Sequence, residues 1–219
     1  MECKYSRRNW MSASMSLAGA ALLASTGCTM VATGLYVLTG NNVPAEYDGL
    51  KGKKVAIVCR PTTALDFNNS SVANLLANQV ASELSTNVRN VTIVDQRTVN
   101  DWTDENTWDQ YIEIGKALNA DLVVGIDLEE FSIYMGQTLY QGRATIHLAV
   151  YDPKKDKLPV WEKHLPQAVY PPTGGIPSSE RPEGEFRRKF VGTLADRISR
   201  HFYPHDATVD FAPDSTVLY

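Results

Sequence analysis

Four histidines, an adjacent pair of glutamates, a serine pair, a glycine pair and three cysteines are the residues in this 219-residue sequence whose type and spacing could do chemistry. His201 and His205 are four apart with Asp206 adjacent, and on a helix that spacing turns two imidazoles to one face, as a divalent metal requires. Pro204 stands between them and breaks the helix, so they are expected as helix-end histidines, favourable beside the C-terminal dipole. His147 and His164 are metal candidates by type alone. Glu129 and Glu130 could suggest paired carboxylates for acid-base work, but neighbours on a strand point to opposite faces and cooperate only across an unusual bulge. Ser70-Ser71 lacks the glycine-flanked turn that exposes a nucleophilic hydroxyl. Gly174-Gly175 leads into no helix carrying a phosphate-binding lysine pattern. No catalytic set, cofactor loop or metal set emerges, and the expectation is a protein that is not an enzyme and carries no cofactor.

The elements that must position these residues follow from periodicity. Val55-Ala56-Ile57-Val58-Cys59, stopped by Pro61, is a short apolar run that predicts a buried strand with Cys59 as a small core side chain. After Asn68-Asn69-Ser70-Ser71, a set of N-cap residues, Val72, Leu75, Leu76, Val80 and Leu84 recur at helical spacing and predict a helix over 71–85. Val91 to Val94 predicts a second strand, and the polar stretch from Asp95 to Asp109 predicts no element. Trp108, Tyr111, Ile112, Ile114 and Leu118 predict a second helix ending near Asn119, its aromatic face serving as core packing. Asp121 to Leu128 reads as a central strand continuing with alternation to Tyr134, and 136–142 as a loop or hairpin end. Ala144, Ile146, Leu148 and Val150 alternate with Thr145, His147, Ala149 and Tyr151, a half-buried strand whose hairpin partner is 159–165. Five prolines between Pro166 and Pro182, with Gly174 and Gly175 among them, predict a long surface loop. Phe186, Phe190, Leu194, Ile198 and Phe202 at strict i+4 spacing predict a last helix, terminated by Pro204.

The expected fold is therefore α/β, a two- or three-layer sandwich of a mixed sheet with about three packed helices. Residues 1–27 form a signal or anchor segment, 28–52 a tether, 53–204 one domain and 205–219 a C-terminal tail.

The N-terminal segment carries its own chemistry. Lys4, Arg7 and Arg8 face one acid, Glu2, and no charge follows from Met11 to Ala24, the basic and apolar regions of a secretory signal. Ser6-Arg7-Arg8-Asn9-Trp10-Met11 resembles the twin-arginine export motif, and reads equally as the basic region of a general secretory signal. Ala24-Ser25-Thr26-Gly27-Cys28 resembles the lipobox of bacterial lipoproteins. That resemblance implies diacylglyceryl attachment at Cys28, with Ser25 standing where that family usually has Leu. Two other readings stay open: a membrane-spanning anchor, because the uncharged stretch runs on to Asn42 and exceeds the roughly 20 residues that span a bilayer, and plain cleavage. With Cys3 in the signal and Cys28 lipidated, Cys59 stands alone and no disulfide framework forms. Loss of residues 1–27 leaves 18 Lys and Arg against 24 Asp and Glu, a net charge of −6. An acidic chain without a basic cluster is excluded from nucleic-acid backbone binding, which draws its affinity from Lys and Arg displacing counterions.

The strand, helix, strand, helix, strand, hairpin, helix order resembles a group of envelope α/β domains. That group includes the N-terminal domain of the Tol-system protein TolB, the curli-secretion lipoprotein CsgG and the outer-membrane activators of penicillin-binding proteins. Lys54 to Val58, Ala120 to Gly125 and the hairpin ending at Val160-Trp161-Glu162 carry the likeness, over residues 53–203. It implies an envelope lipoprotein facing the periplasm, at the outer membrane, that binds an envelope protein or assists assembly. The alternative it implies is an export component working as a homo-oligomer. Curli channel members insert two long amphipathic hairpins; here the extended hairpin from Phe131 to Thr145 is interrupted by Gly136, Gln137 and Gly142, which favours a peripheral accessory protein over a pore.

Overall fold

Val55, Ala56, Ile57 and Val58 are all buried, which happens to a strand only when both of its faces are covered. The structure, a computed structural model, describes residues 42–61, 70–155 and 157–206; Arg7, Arg8, Cys28 and the whole signal segment lie outside the described residues. In chain order the elements are β1 (Asn42–Val43), β2 (Lys54–Pro61), α1 (Ser70–Asn87), β3 (Thr92–Ile93), α2 (Gln96–Glu105), α3 (Tyr111–Ala117) and β4 (Leu122–Met135). There follow β5 (Leu139–Tyr151), β6 (Trp161–His164), β7 (Ala168–Tyr170), β8 (Ile176–Pro177), α4 (Glu183–Ser199), a 3-10 turn (Arg200–Phe202) and β9 (His205–Asp206).

The main sheet runs β3-β2-β4-β5-β6, with β7 and β8 also paired to β5. β2 is parallel to both neighbours, whereas β4, β5 and β6 are successively antiparallel, so the sheet is mixed as expected. Alternation along β2 divides the core in two. Val55 and Ile57 join Val72, Leu76, Val80 and Leu84 of α1 and Phe186, Phe190, Leu194 and Ile198 of α4, while Ala56 and Val58 join Val99 of α2 and Tyr111 and Ile114 of α3. The result is three layers, α/β/α. Each fully buried Phe or Leu of the i+4 stripe on α4 contributes about 1.5–3 kcal/mol by removal from water. Among the described residues no helix is long and apolar enough to cross a membrane.

Four features depart from the sequence expectation. The polar stretch after Asp95 folds into α2, capped by the Asp95 carboxylate accepting from Arg97 N at 2.8 Å, and this brings the helices to four among the described residues. Its buried face is narrow, only Gln96 and Val99, and the Gln96 amide nitrogen donates to Ile57 O at 3.2 Å while its buried Oε1 makes no hydrogen bond. The proline-rich segment holds β7 and β8, because its prolines flank the pairing residues Ala168, Val169 and Tyr170 or stand at an edge where no ladder donor is needed. Gly142 does not interrupt the hairpin. It lies inside β5 because Phe190 occupies the space a side chain there would need, 2.5 Å from where its Cβ would stand. Finally, a register shift between Leu128 and Glu130 falls on the glutamate pair, and Glu130 accepts hydrogen bonds from Thr145 and Gln167.

Both ends of the described chain meet. Asn42 pairs with Asp206 and Val43 with His205, antiparallel. Behind that pair Tyr47 donates its backbone N–H to His201 O at 3.0 Å and packs against Trp161 and Phe202, and Leu50 is fully buried.

Candidate functional site

Arg60 on β2, Asp127 on β4, His147 on β5 and His164 on β6 are register partners in succession, forming one polar row across four adjacent strands. Register places all four on one face of the sheet, the face that α2 and α3 cover further back. Arg60 is the last residue but one of β2, the strand with β3 on one side and β4 on the other. The row thus sits at the carboxyl end of the parallel strands where the connections diverge, the crevice in which open α/β sheets place ligands.

Asp127 is the hub. Its Oδ1 accepts from Arg60 Nε at 3.2 Å, Arg60 Nη2 at 3.1 Å and the Tyr111 hydroxyl at 2.7 Å, and its Oδ2 lies 3.5 Å from His147 Nδ1. The Arg60 guanidinium lies over two rings, 5.4 Å from the Trp108 centroid and 5.1 Å from that of Tyr111, and Nη1 donates to Asp109 O. Tyr111 stacks in turn on Tyr151 at 5.2 Å. At the other end His147 and His164 stack at 4.1 Å, and His147 Nε2 lies 3.6 Å from Glu162, beyond hydrogen-bond reach, so this buried nitrogen makes no hydrogen bond.

Electrostatics follow from burial and the central carboxylate. Burial, and then Asp127, push the Tyr111 phenol far above its ordinary value, so it stays a donor. Burial would lower Arg60, but Tyr111 and Asp127 overturn that and its pKa is raised. Half-buried Cys59 is pushed up by desolvation of its thiol and then by Asp127, so it is a protonated packing residue rather than a nucleophile. The row holds shape and charge: a cation lying against two rings at one end, and a stacked imidazole pair at the other.

His147 and His164, separate in sequence, are thus brought together. His201 and His205 share a different concavity with Glu46 and Lys163. Among the described residues no group of three or more His, Cys, Asp or Glu is placed to hold a metal. Ser71 is exposed, and Gly174 has a positive φ of 73° in a turn whose carbonyl accepts from Gln141. Arg60, Trp108, Tyr111 and Asp127 escape sequence reasoning as a site. The available signal was a charge interrupting each of two apolar strands: Arg60 just before Pro61, and Asp127 between Ile126 and Leu128.

No family model and no curated protein matches the chain. Among solved structures it is similar to the PelC dodecamer of Paraburkholderia phytofirmans, at 11% identity over 74% of this chain and 96% of that one, with a TM-score of 0.45. It is also similar to a hypothetical protein of Chlamydia trachomatis, at 16% identity over 75% and 99% with a TM-score of 0.41. A third is the lipoprotein GNA1162 of Neisseria meningitidis, at 12% identity over 67% and 97% with a TM-score of 0.41.

Proposed function

We propose that this chain is an envelope lipoprotein, anchored through Cys28, whose α/β domain binds a protein partner through the row Arg60–Asp127–His147–His164. The engagement of Asp127 carries the binding half of this reading: a carboxylate that accepts from Arg60 and Tyr111 holds the guanidinium and the ring in place as a preformed surface. The guanidinium lying against both Trp108 and Tyr111 supplies the kind of rigid Arg and aromatic anchor that concentrates binding energy in protein interfaces. The anchoring half is supported by Cys28 closing the apolar run after Thr26-Gly27. The domain is non-catalytic in this reading, and its site faces the periplasm.

Metabolic labelling with a lipid precursor tests the anchor: wild type takes the label and Cys28→Ala does not. Labelling absent from both chains overturns it. Crosslinking and pulldown from native membranes tests the surface. A partner recovered with wild type and lost with Arg60→Ala, in a protein that still folds by circular dichroism, supports it; equal recovery with both overturns the row as the interface.

A further inference from the structure

On the pole where the described chain begins, a concavity of about 220 Å³ is lined by Lys163, Arg197, Arg200, His201 and His205, with Glu46 as the single acid. Three of these, Lys163, Arg197 and Arg200, are cations gathered in a chain whose net charge is −4, so composition does not account for the cluster. The cations come from three separate elements: Lys163 from β6, Arg197 from α4 and Arg200 from the 3-10 turn. They are also held in place. Lys163 bridges both oxygens of Glu46, at 2.5 and 2.6 Å, His201 Nδ1 lies 3.1 Å from Glu46, and Arg200 pairs with Asp196 on the preceding turn. Val43, Pro44, Leu165 and Pro166 complete an apolar rim. The volume is below the roughly 300–1,000 Å³ of sites for drug-sized ligands and suits a compact anion.

We infer that this concavity binds a phosphate group, either of an anionic lipid headgroup or of a small soluble phosphoester. Arg and Lys together supply the planar donors and the point charge by which proteins hold phosphate oxygens. Val43 and Pro44 make the first described residues of the chain part of the wall, so a lipid tether leading to Asn42 reaches the domain at this site. The inference is independent of the polar row. Only its lipid arm rests on anchoring at Cys28.

The test uses full-length protein in non-ionic detergent, reading the rate of Lys163 acylation by mass spectrometry against exposed Lys53 at matched ionic strength. Inorganic phosphate and glycerol phosphate are expected to slow Lys163 at least threefold and saturably. Arg197→Glu should weaken that protection at least tenfold, and Glu46→Gln, which removes the acid, should strengthen it. Arg97→Glu makes the same charge change on exposed α2 and should leave protection unchanged. Protection of the chain in nanodiscs containing phosphatidylglycerol, absent with phosphatidylcholine alone, assigns the group to a lipid headgroup; protection only by the soluble phosphates assigns it to a phosphoester. No protection in any arm, or protection unmoved by Arg197→Glu, overturns the site.

Discussion

Tyr111 fills the place that a side chain at Gly125 would take: a Cβ built on Gly125 would stand 2.8 Å from the Tyr111 ring. The missing side chain lets the ring lie flat on the sheet, where its hydroxyl reaches Asp127 two residues along β4. A glycine in a central strand here is what admits the aromatic wall of the polar row.

Gly125→Ala is therefore expected to destabilise the fold by about 1–3 kcal/mol, the usual cost of overpacking a filled core. It should also displace Trp108, which packs on Tyr111 at 5.5 Å, and so alter tryptophan fluorescence. Urea unfolding of Gly125→Ala beside Tyr111→Phe separates the steric cost from the lost hydrogen bond. An unchanged midpoint for Gly125→Ala would show that Tyr111 is free to move aside.

Arg60 and Asp127 should be energetically coupled. Their side chains are 36% and 13% exposed, so solvent screens the pair on one side only. A double-mutant cycle with Arg60→Ala and Asp127→Ala is expected to return roughly 1–2 kcal/mol, above the range of exposed pairs and below that of fully buried ones. Additivity of the two substitutions would reduce the pair to a surface contact.

Acidification should weaken the fold. Burial holds the His201 imidazole below its usual pKa, with Glu46 only partly opposing it, so the unfolded chain takes up this proton more readily. That stability is complete above the unfolded value of about 6.5 and is lost as pH falls through and below it. Burial would raise Glu46, but the Lys163 hydrogen bond and the His201 charge outweigh it, and the lowered value adds a second loss below about pH 4.3. Urea midpoints should thus fall between pH 8 and pH 5.5, and His201→Gln should flatten that fall. A midpoint rising toward pH 5.5 contradicts this assignment.

Leu50 belongs to the core. Leu50→Ala should cost roughly 2–5 kcal/mol, the range for a fully buried leucine. A fragment beginning at residue 53 loses Leu50, Tyr47 and β1 together, and is expected to melt well below one beginning at residue 42. Equal melting temperatures would show that the preceding segment is only draped on the domain.

The large elements were legible because they bury wide, regular faces. β2, β4 and β5 announce themselves by apolar runs and alternation, and α1 and α4 by stripes such as Phe186, Phe190, Leu194 and Ile198. α2 was not, because it buries only Gln96 and Val99, and one of these is a polar residue whose amide nitrogen donates to a neighbouring strand. β7 and β8 were hidden by the prolines around them. The polar row is a matter of register: Arg60, Asp127, His147 and His164 align only once β2, β4, β5 and β6 are paired, and a one-residue slip in any strand would turn its member to the opposite face. Pairing of distant strands is set by the packed core, and no local pattern encodes it.

The bridge from Glu46 to Lys163 carries a mechanical consequence. Lys163 precedes His164 in β6, an edge strand of four residues, so tension drawn through the chain at Asn42, once the β1–β9 pairing has given way, passes through Glu46 to the strand that holds the last member of the row. A strand that short peels from its neighbour more readily than the central strands part, and peeling it separates His164 from His147. Under load from that end, the polar row would open at its histidine end first, while Arg60 and Asp127 on the central strands stay paired.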